Sequence, residues 1–196
     1  GMESQSATLK FDEEYTGPVL LMGPAVAELF STVLLNGREN IFANDNINSL
    51  SGFQYDSDAT SMNGKLGKSI CNEAVTIKAK PKLKSYNGID LLGGFEMDSE
   101  GIVPADELMV VEKGILKNLL NNRTLTDSTQ VANGFSSGPG VIEVTLALKN
   151  SEKVLKEKLI TQAKKEGLDY AIIIREAPMA GFGLINVYKV SVTDGK

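Results

Sequence analysis

Histidine is absent from all 196 residues, tryptophan is absent as well, and cysteine occurs once, at Cys71. The missing histidine removes the commonest general base, the commonest zinc ligand and every Ser-His or Cys-His nucleophilic pair. A lone cysteine excludes a disulfide framework and a Cys-rich metal cluster, and its usage fits a reducing compartment or equally a secreted protein without bridges. No apolar run approaches the ~18 residues of a membrane-spanning helix; the strongest, around Val19–Met22, stops at Gly23-Pro24. The amino end reads Gly1-Met2, an expression scar in character, and continues with polar residues. No basic stretch with a following hydrophobic region marks a signal peptide, so the expected location is cytoplasmic and away from membranes. Positive charge is also in short supply. With 20 Lys+Arg against 25 Asp+Glu, the net charge of −5 argues against a phosphate-binding footprint and against nucleic acid as a partner.

What remains is an ordinary globular composition, with 42% hydrophobic and 23% charged residues, and a length that predicts a single domain over 1–196. Ala7–Phe11 has the pattern of a short strand, and Pro18–Met22 that of a second. Pro24 suits the first position of a helix, and Val26, Leu29, Phe30, Val33 and Leu34 recur at the spacing of one buried face. Asn36-Gly37 supplies the stop. Residues 38–68, rich in Asn, Ser, Asp and Gly, predict a long irregular excursion. Val75, Ile77 and Ala79 then alternate with Thr76, Lys78 and Lys80, the pattern of a half-solvated strand closed by Pro81.

Two apolar runs around Gly114, from Leu108 to Leu120, form the clearest hairpin signal. Val141–Leu148 reads as another strand. A second helix is expected after Asn150-Ser151, either of which suits its cap, with Leu155, Leu159 and Ala163 on one face and an end at Gly167. Strands over Tyr170–Arg175 and Leu184–Val192 flank a turn-prone Met179–Gly183. Many strands and two main helices without regular βα alternation predict an α+β fold with a largely antiparallel, barrel-like sheet.

Several candidate motifs fail on chemistry. Gly134-Phe135-Ser136-Ser137-Gly138 has the letters of a nucleophile elbow, but a Pro-Gly loop and a strand follow it and no histidine exists to activate the serine. It reads as a turn-forming loop. Glu96, Asp98, Glu100, Asp106 and Glu107 do not follow an EF-hand spacing and read as solvated loop carboxylates, with Asp98–Gly101 a turn. Lys78, Lys80, Lys82 and Lys84 fall on one side of an extended chain, a stripe that reads as solvation or as edge protection against aggregation. Cys71, without a histidine partner, reads as a packed or incidental thiol.

Three segments in a fixed order carry a family resemblance over roughly Gly17 to Arg175. They are Gly17–Phe30, Asp98–Pro104 followed by the Val110–Thr124 hairpin region, and the Asn133-Gly134 loop. The chain resembles the carboxy-terminal domain of the TldD/PmbA proteins. In the TldD branch the first helix continues into H-E-x-x-x-H, two histidines binding zinc and the glutamate serving as general base for peptide hydrolysis. Those positions here are Ser31, Thr32 and Asn36. Hydroxyl and amide oxygens are poor zinc ligands beside imidazole, and threonine is no base at neutral pH.

The resemblance also implies a thiol ligand in a carboxy-terminal Gly-Thr-Cys-Gly-type segment. This sequence stops at Lys196 without one, and Cys71 falls in another region. An amino-terminal α/β domain, which family members have, is absent as well. No catalytic residue, metal or cofactor is therefore expected here, zinc belonging to catalytic relatives. The resemblance places the chain with the PmbA branch, a non-catalytic domain that serves as scaffold or partner of a TldD-like paralogue or of itself in a peptidase acting on peptides. A zinc peptidase completed by segments outside this chain, and an interaction module unrelated to proteolysis, are the alternatives. The family's older label, modulator of DNA gyrase, does not imply DNA contact.

Overall fold

Alternation of Val75, Ile77 and Ala79 with Thr76, Lys78 and Lys80 produces the expected strand, with the first three buried and the second three half-buried. The computed structural model describes residues 14–35, 39–43, 60–123, 131–179 and 184–195. In chain order the elements are β1 (Val19–Leu21), α1 (Pro24–Leu35), β2 (Glu39–Asn40), β3 (Thr60–Ser61), β4 (Val75–Lys80), β5 (Ser85–Tyr86), β6 (Ile89–Asp90), β7 (Leu108–Glu112), β8 (Ile115–Leu116), β9 (Val141–Leu146), α2 (Glu152–Lys165), β10 (Tyr170–Met179) and β11 (Leu184–Ser191), with a 3-10 turn over Met62–Lys65. This is the α+β fold expected, with two helices and mostly antiparallel strands; among the described residues the sheets are open and close no barrel. The strand expected at Ala7–Phe11 and the stop at Asn36-Gly37 lie outside the described residues. No described helix is long and apolar enough to cross a membrane.

The chain divides into two compact units, Gly1–Ala25 with Asn150–Lys196, and Val26–Lys149. In the first, β10 lies between β1, parallel to it in the register Val19↔Ile172, and the antiparallel β11. Helix α2 buries Leu159 and Ala163 against Ala171, Ile173, Val190 and Val192. Ser151 caps it, its Oγ accepting the N–H of Val154 at 3.4 Å. The helix ends as the sequence predicts, with Gly167 left-handed at φ +73°. The N–H of Leu168 reaches Ala163 O and that of Gly167 reaches Lys164 O, which satisfies two carbonyls of the last turn.

In the second unit the four-stranded antiparallel sheet has the order β8-β7-β4-β9. Lys113 and Gly114, at φ +47° and +77°, make a two-residue turn with both central residues left-handed, the geometry whose twist matches the flanking strands β7 and β8. The expected second run is shorter than the sequence suggests. Strand β8 ends at Leu116, and Leu120 turns instead to the segment after α1, where its N–H reaches Ile41 O at 2.8 Å and its carbonyl accepts Ala43 N–H at 2.9 Å. Ile41, Phe42, Ile77, Val110, Val111, Leu116, Leu120 and Phe135 form the core of this unit.

Candidate functional site

Helix α1 does not bury the stripe its periodicity suggests. Leu34 is buried and Phe30 packs partly against the core, but Leu29 and Val33 are 42% and 48% exposed. These two stand one helical turn apart and, with Phe30, form one wall of a cleft of about 570 Å³. Met62 of the 3-10 turn, Ile70 and Ile77 of β4 supply the apolar floor. Among the described residues two charged side chains line the cleft, Glu39 and Lys65, and they are ion-paired to each other. The remaining polar groups of the lining are the Thr32 hydroxyl and the Cys71 thiol. Cys71 is exposed rather than packed, and partial burial of its thiol pushes its pKa up.

Of the three positions singled out by resemblance, Ser31 is half-buried on α1, Thr32 is exposed and lines the cleft, and Asn36 lies outside the described residues. Cys71, which by sequence falls in another region, shares the cleft with Thr32. No periodic signal could have joined them. The approach is made by β4 and the hairpin turn, since Cys71 N–H donates to Gly114 O at 3.4 Å and Ile70 N–H to the same carbonyl at 2.9 Å. Zinc wants imidazole, thiolate or carboxylate ligands in a tetrahedral set. One hydroxyl and one thiol in an apolar cleft do not make up such a set, and no group of three His, Cys, Asp or Glu side chains that could hold a metal ion occurs among the described residues.

The acidic residues read as solvated have more specific roles. Asp98 is only 4% exposed. Its Oδ1 accepts the N–H groups of Glu100 at 3.0 Å and Ile102 at 2.9 Å, and its Oδ2 accepts that of Ser136 at 3.2 Å. Burial alone would raise its pKa, but the bonds from Ile102, Ser136 and Glu100 outweigh it and hold the carboxyl below the usual range. The loop with the letters of a nucleophile elbow is thereby tied down. Ser136 is buried, its Oγ lies 2.9 Å from Ser99 Oγ, and Ser137 Oγ accepts Ser99 N–H at 2.8 Å.

Glu96, Asp106 and Glu107 meet the lysine stripe. Lys78 pairs with Glu107, Lys80 with Glu143, Lys82 with Asp106 and Lys84 with Glu96, all at 2.7–2.8 Å. The bonded ammonium groups hold Glu107, Asp106 and Glu96 below their usual range. The last of the five, Glu100, accepts Arg123 N–H at 2.7 Å. These carboxylates are committed to the scaffold.

The profile of the PmbA/TldA metallopeptidase C-terminal domain matches residues 15–190. The chain belongs to this family. Over 62 residues it is 44% identical to a metalloprotease of Methanothermobacter thermautotrophicus, a stretch covering 32% of this chain and 12% of the relative. Among solved structures it is similar to a modulator of a DNA gyrase from Thermotoga maritima, with a TM-score of 0.58 and 21% identity over 91% of this chain and 39% of that one. TldE of Thermococcus kodakarensis is aligned over 83% of this chain and 33% of its own, at 16% identity and a TM-score of 0.49. The Thermotoga likeness supports the PmbA/TldA fold. The chain spans less than two fifths of the length of each of these relatives.

Proposed function

We propose that this chain is a non-catalytic PmbA/TldA-type domain, a scaffold or partner subunit for a cytoplasmic metallopeptidase that acts on peptides. Its partner is a TldD-like paralogue carrying the H-E-x-x-x-H motif, or a second copy of itself. The observation that carries this reading is the pair Ser31 and Thr32 on α1, where the resemblance puts a zinc-binding histidine and the catalytic glutamate. Neither side chain can take the metal or the proton. Strand β9 supports a role in holding extended chains. Among the described residues it is the outer strand of its sheet, it is six residues long without proline or lysine, and it runs in unbroken register with β4. An added strand needs such an edge of main-chain donors and acceptors. The acidic net charge is consistent with no contact to nucleic acid.

Metal analysis of the purified chain, with affinity capture of an H-E-x-x-x-H paralogue from the same genome, tests the proposal. The expected result is no stoichiometric zinc and a complex that gains peptidase activity over the paralogue alone. About one tightly held zinc per chain, or chelator-sensitive cleavage by the chain alone, overturns it.

A further inference from the structure

We infer that the α1 cleft, which Thr32 lines at the position of the catalytic branch's glutamate, takes a bulky aliphatic or aromatic side chain of a neutral peptide. This rests on the reading of the chain as a peptide-handling domain and deepens it by naming what the cleft recognises. The volume, about 570 Å³, is that of a ligand pocket and exceeds any single apolar side chain, leaving room for the adjoining backbone. The wall is aliphatic and aromatic through Leu29, Phe30 and Val33, above a floor of Met62, Ile70 and Ile77. Leu29 and Val33 keep 42% and 48% of their surface in water, which makes them the mouth through which a side chain still attached to its peptide enters.

Electrostatics narrows the occupant further. Glu39 and Lys65 neutralise each other, so the described lining carries no net charge to attract an ion. A charged side chain entering the apolar floor would lose its hydration without gaining a partner. The Thr32 hydroxyl is left as a polar group able to bond a peptide amide. Glutamate-bearing or lysine-bearing peptides are therefore excluded, and leucine-bearing or phenylalanine-bearing ones favoured.

Cys71 makes the test direct, because it lines the cleft and is the only thiol in the chain. The rate of its alkylation by iodoacetamide at pH 8.5 is followed on the full chain. The added probes are capped pentaglycine peptides carrying leucine, phenylalanine, alanine or glutamate at the centre. The leucine and phenylalanine peptides are expected to slow alkylation, with apparent affinity about tenfold or more tighter than the alanine peptide, and the glutamate peptide to have no effect. Val33→Asp removes the protection, and Val33→Thr, which keeps the shape of the side chain, weakens it should the first variant misfold.

Equal protection by all four peptides, or none up to their solubility, overturns the inference. Protection by 1-hexanol but by no peptide also overturns it, and assigns the cleft to a free apolar molecule. Calorimetric titration with the leucine peptide gives the same decision independently of thiol reactivity. Zinc found in the chain would defeat the non-catalytic reading while leaving the peptide protection measurable. Absent protection in a zinc-free chain would defeat this inference alone.

Discussion

Asp98 and Ser136, 38 positions apart in sequence, are joined by a buried hydrogen bond of 3.2 Å from the serine N–H to the carboxylate Oδ2. The other carboxylate oxygen closes the Asp98–Gly101 turn by accepting Glu100 and Ile102 N–H groups. One side chain thus shapes its own turn and anchors a distant loop. Replacing it leaves buried N–H donors without an acceptor, and that deficit is larger than the net worth of the bonds themselves.

Asp98→Asn is expected to destabilise the chain by about 1–3 kcal/mol at pH 7, read from a denaturant titration. The amide keeps one acceptor but turns a donor toward another donor. The pH dependence has a definite sign. A carboxyl whose pKa is lower folded than unfolded contributes stability that is fully present above the unfolded value of about 3.9. That contribution is lost as pH falls through the lower, folded value. The wild-type chain should therefore lose stability more steeply than Asp98→Asn below about pH 4. Parallel pH profiles for the two proteins would contradict this.

Gly114 and Gly88 separate backbone strain from contact. Both are left-handed, at φ +77° and +79°. A Cβ at Gly114 would fall 2.5 Å from Cys71 O and 2.9 Å from Asn72 O, whereas one at Gly88 meets nothing within 4 Å. Gly88→Ala should cost roughly 1–2 kcal/mol from conformation alone. Gly114→Ala should cost clearly more and also change the alkylation rate of Cys71, because the hairpin turn and the thiol segment must move apart. Equal losses of stability would refute the clash.

The triple change Ser31→His, Thr32→Glu and Asn36→His is expected to leave the chain without peptidase activity. Two histidines and a base are only part of an open catalytic zinc site. A catalytic site also needs a third protein ligand and supporting partners, and the described residues offer no ready cluster of ligands. Chelator-sensitive hydrolysis of an unfolded peptide by the triple variant would contradict this.

Ser151→Ala removes the side-chain cap of α2. With the bond to Val154 N–H at 3.4 Å, the cost should lie near the lower end of the range for caps, about 0.5–1 kcal/mol. Hydrogen exchange at the first turn of α2 should quicken in the variant, while β4 and β7 exchange as before.

Most elements were legible because their signals are local. Pro24 at a helix start, Gly167 beyond a helix end and Gly114 in a hairpin each impose a backbone geometry that few alternatives satisfy. What escaped the sequence depends on partners distant along the chain. Asp98 looks like any loop carboxylate until the 134–138 loop brings Ser136 to it. The lysines of the stripe look solvated until Glu96, Asp106, Glu107 and Glu143 arrive from other segments. Helical spacing marks Leu29 and Val33 as apolar, but it does not say whether a face meets core or cleft. Resemblance alone led to Ser31 and Thr32, while nothing local tied Cys71 to the cleft that Thr32 lines.

Pairing of Val19 with Ile172 has a consequence for synthesis. The unit that contains β1 is built from Gly1–Ala25 and Asn150–Lys196, which Val26–Lys149 separates in sequence. As the polypeptide leaves the ribosome, the intervening unit has every residue it needs well before β10 appears. Through that interval Val19–Leu21 has no strand to pair with, and closing so long a loop is an entropic cost deferred to the end. Newly made protein should therefore pass through a stage in which the middle of the chain is native and its early segment is a waiting, chaperone-accessible strand.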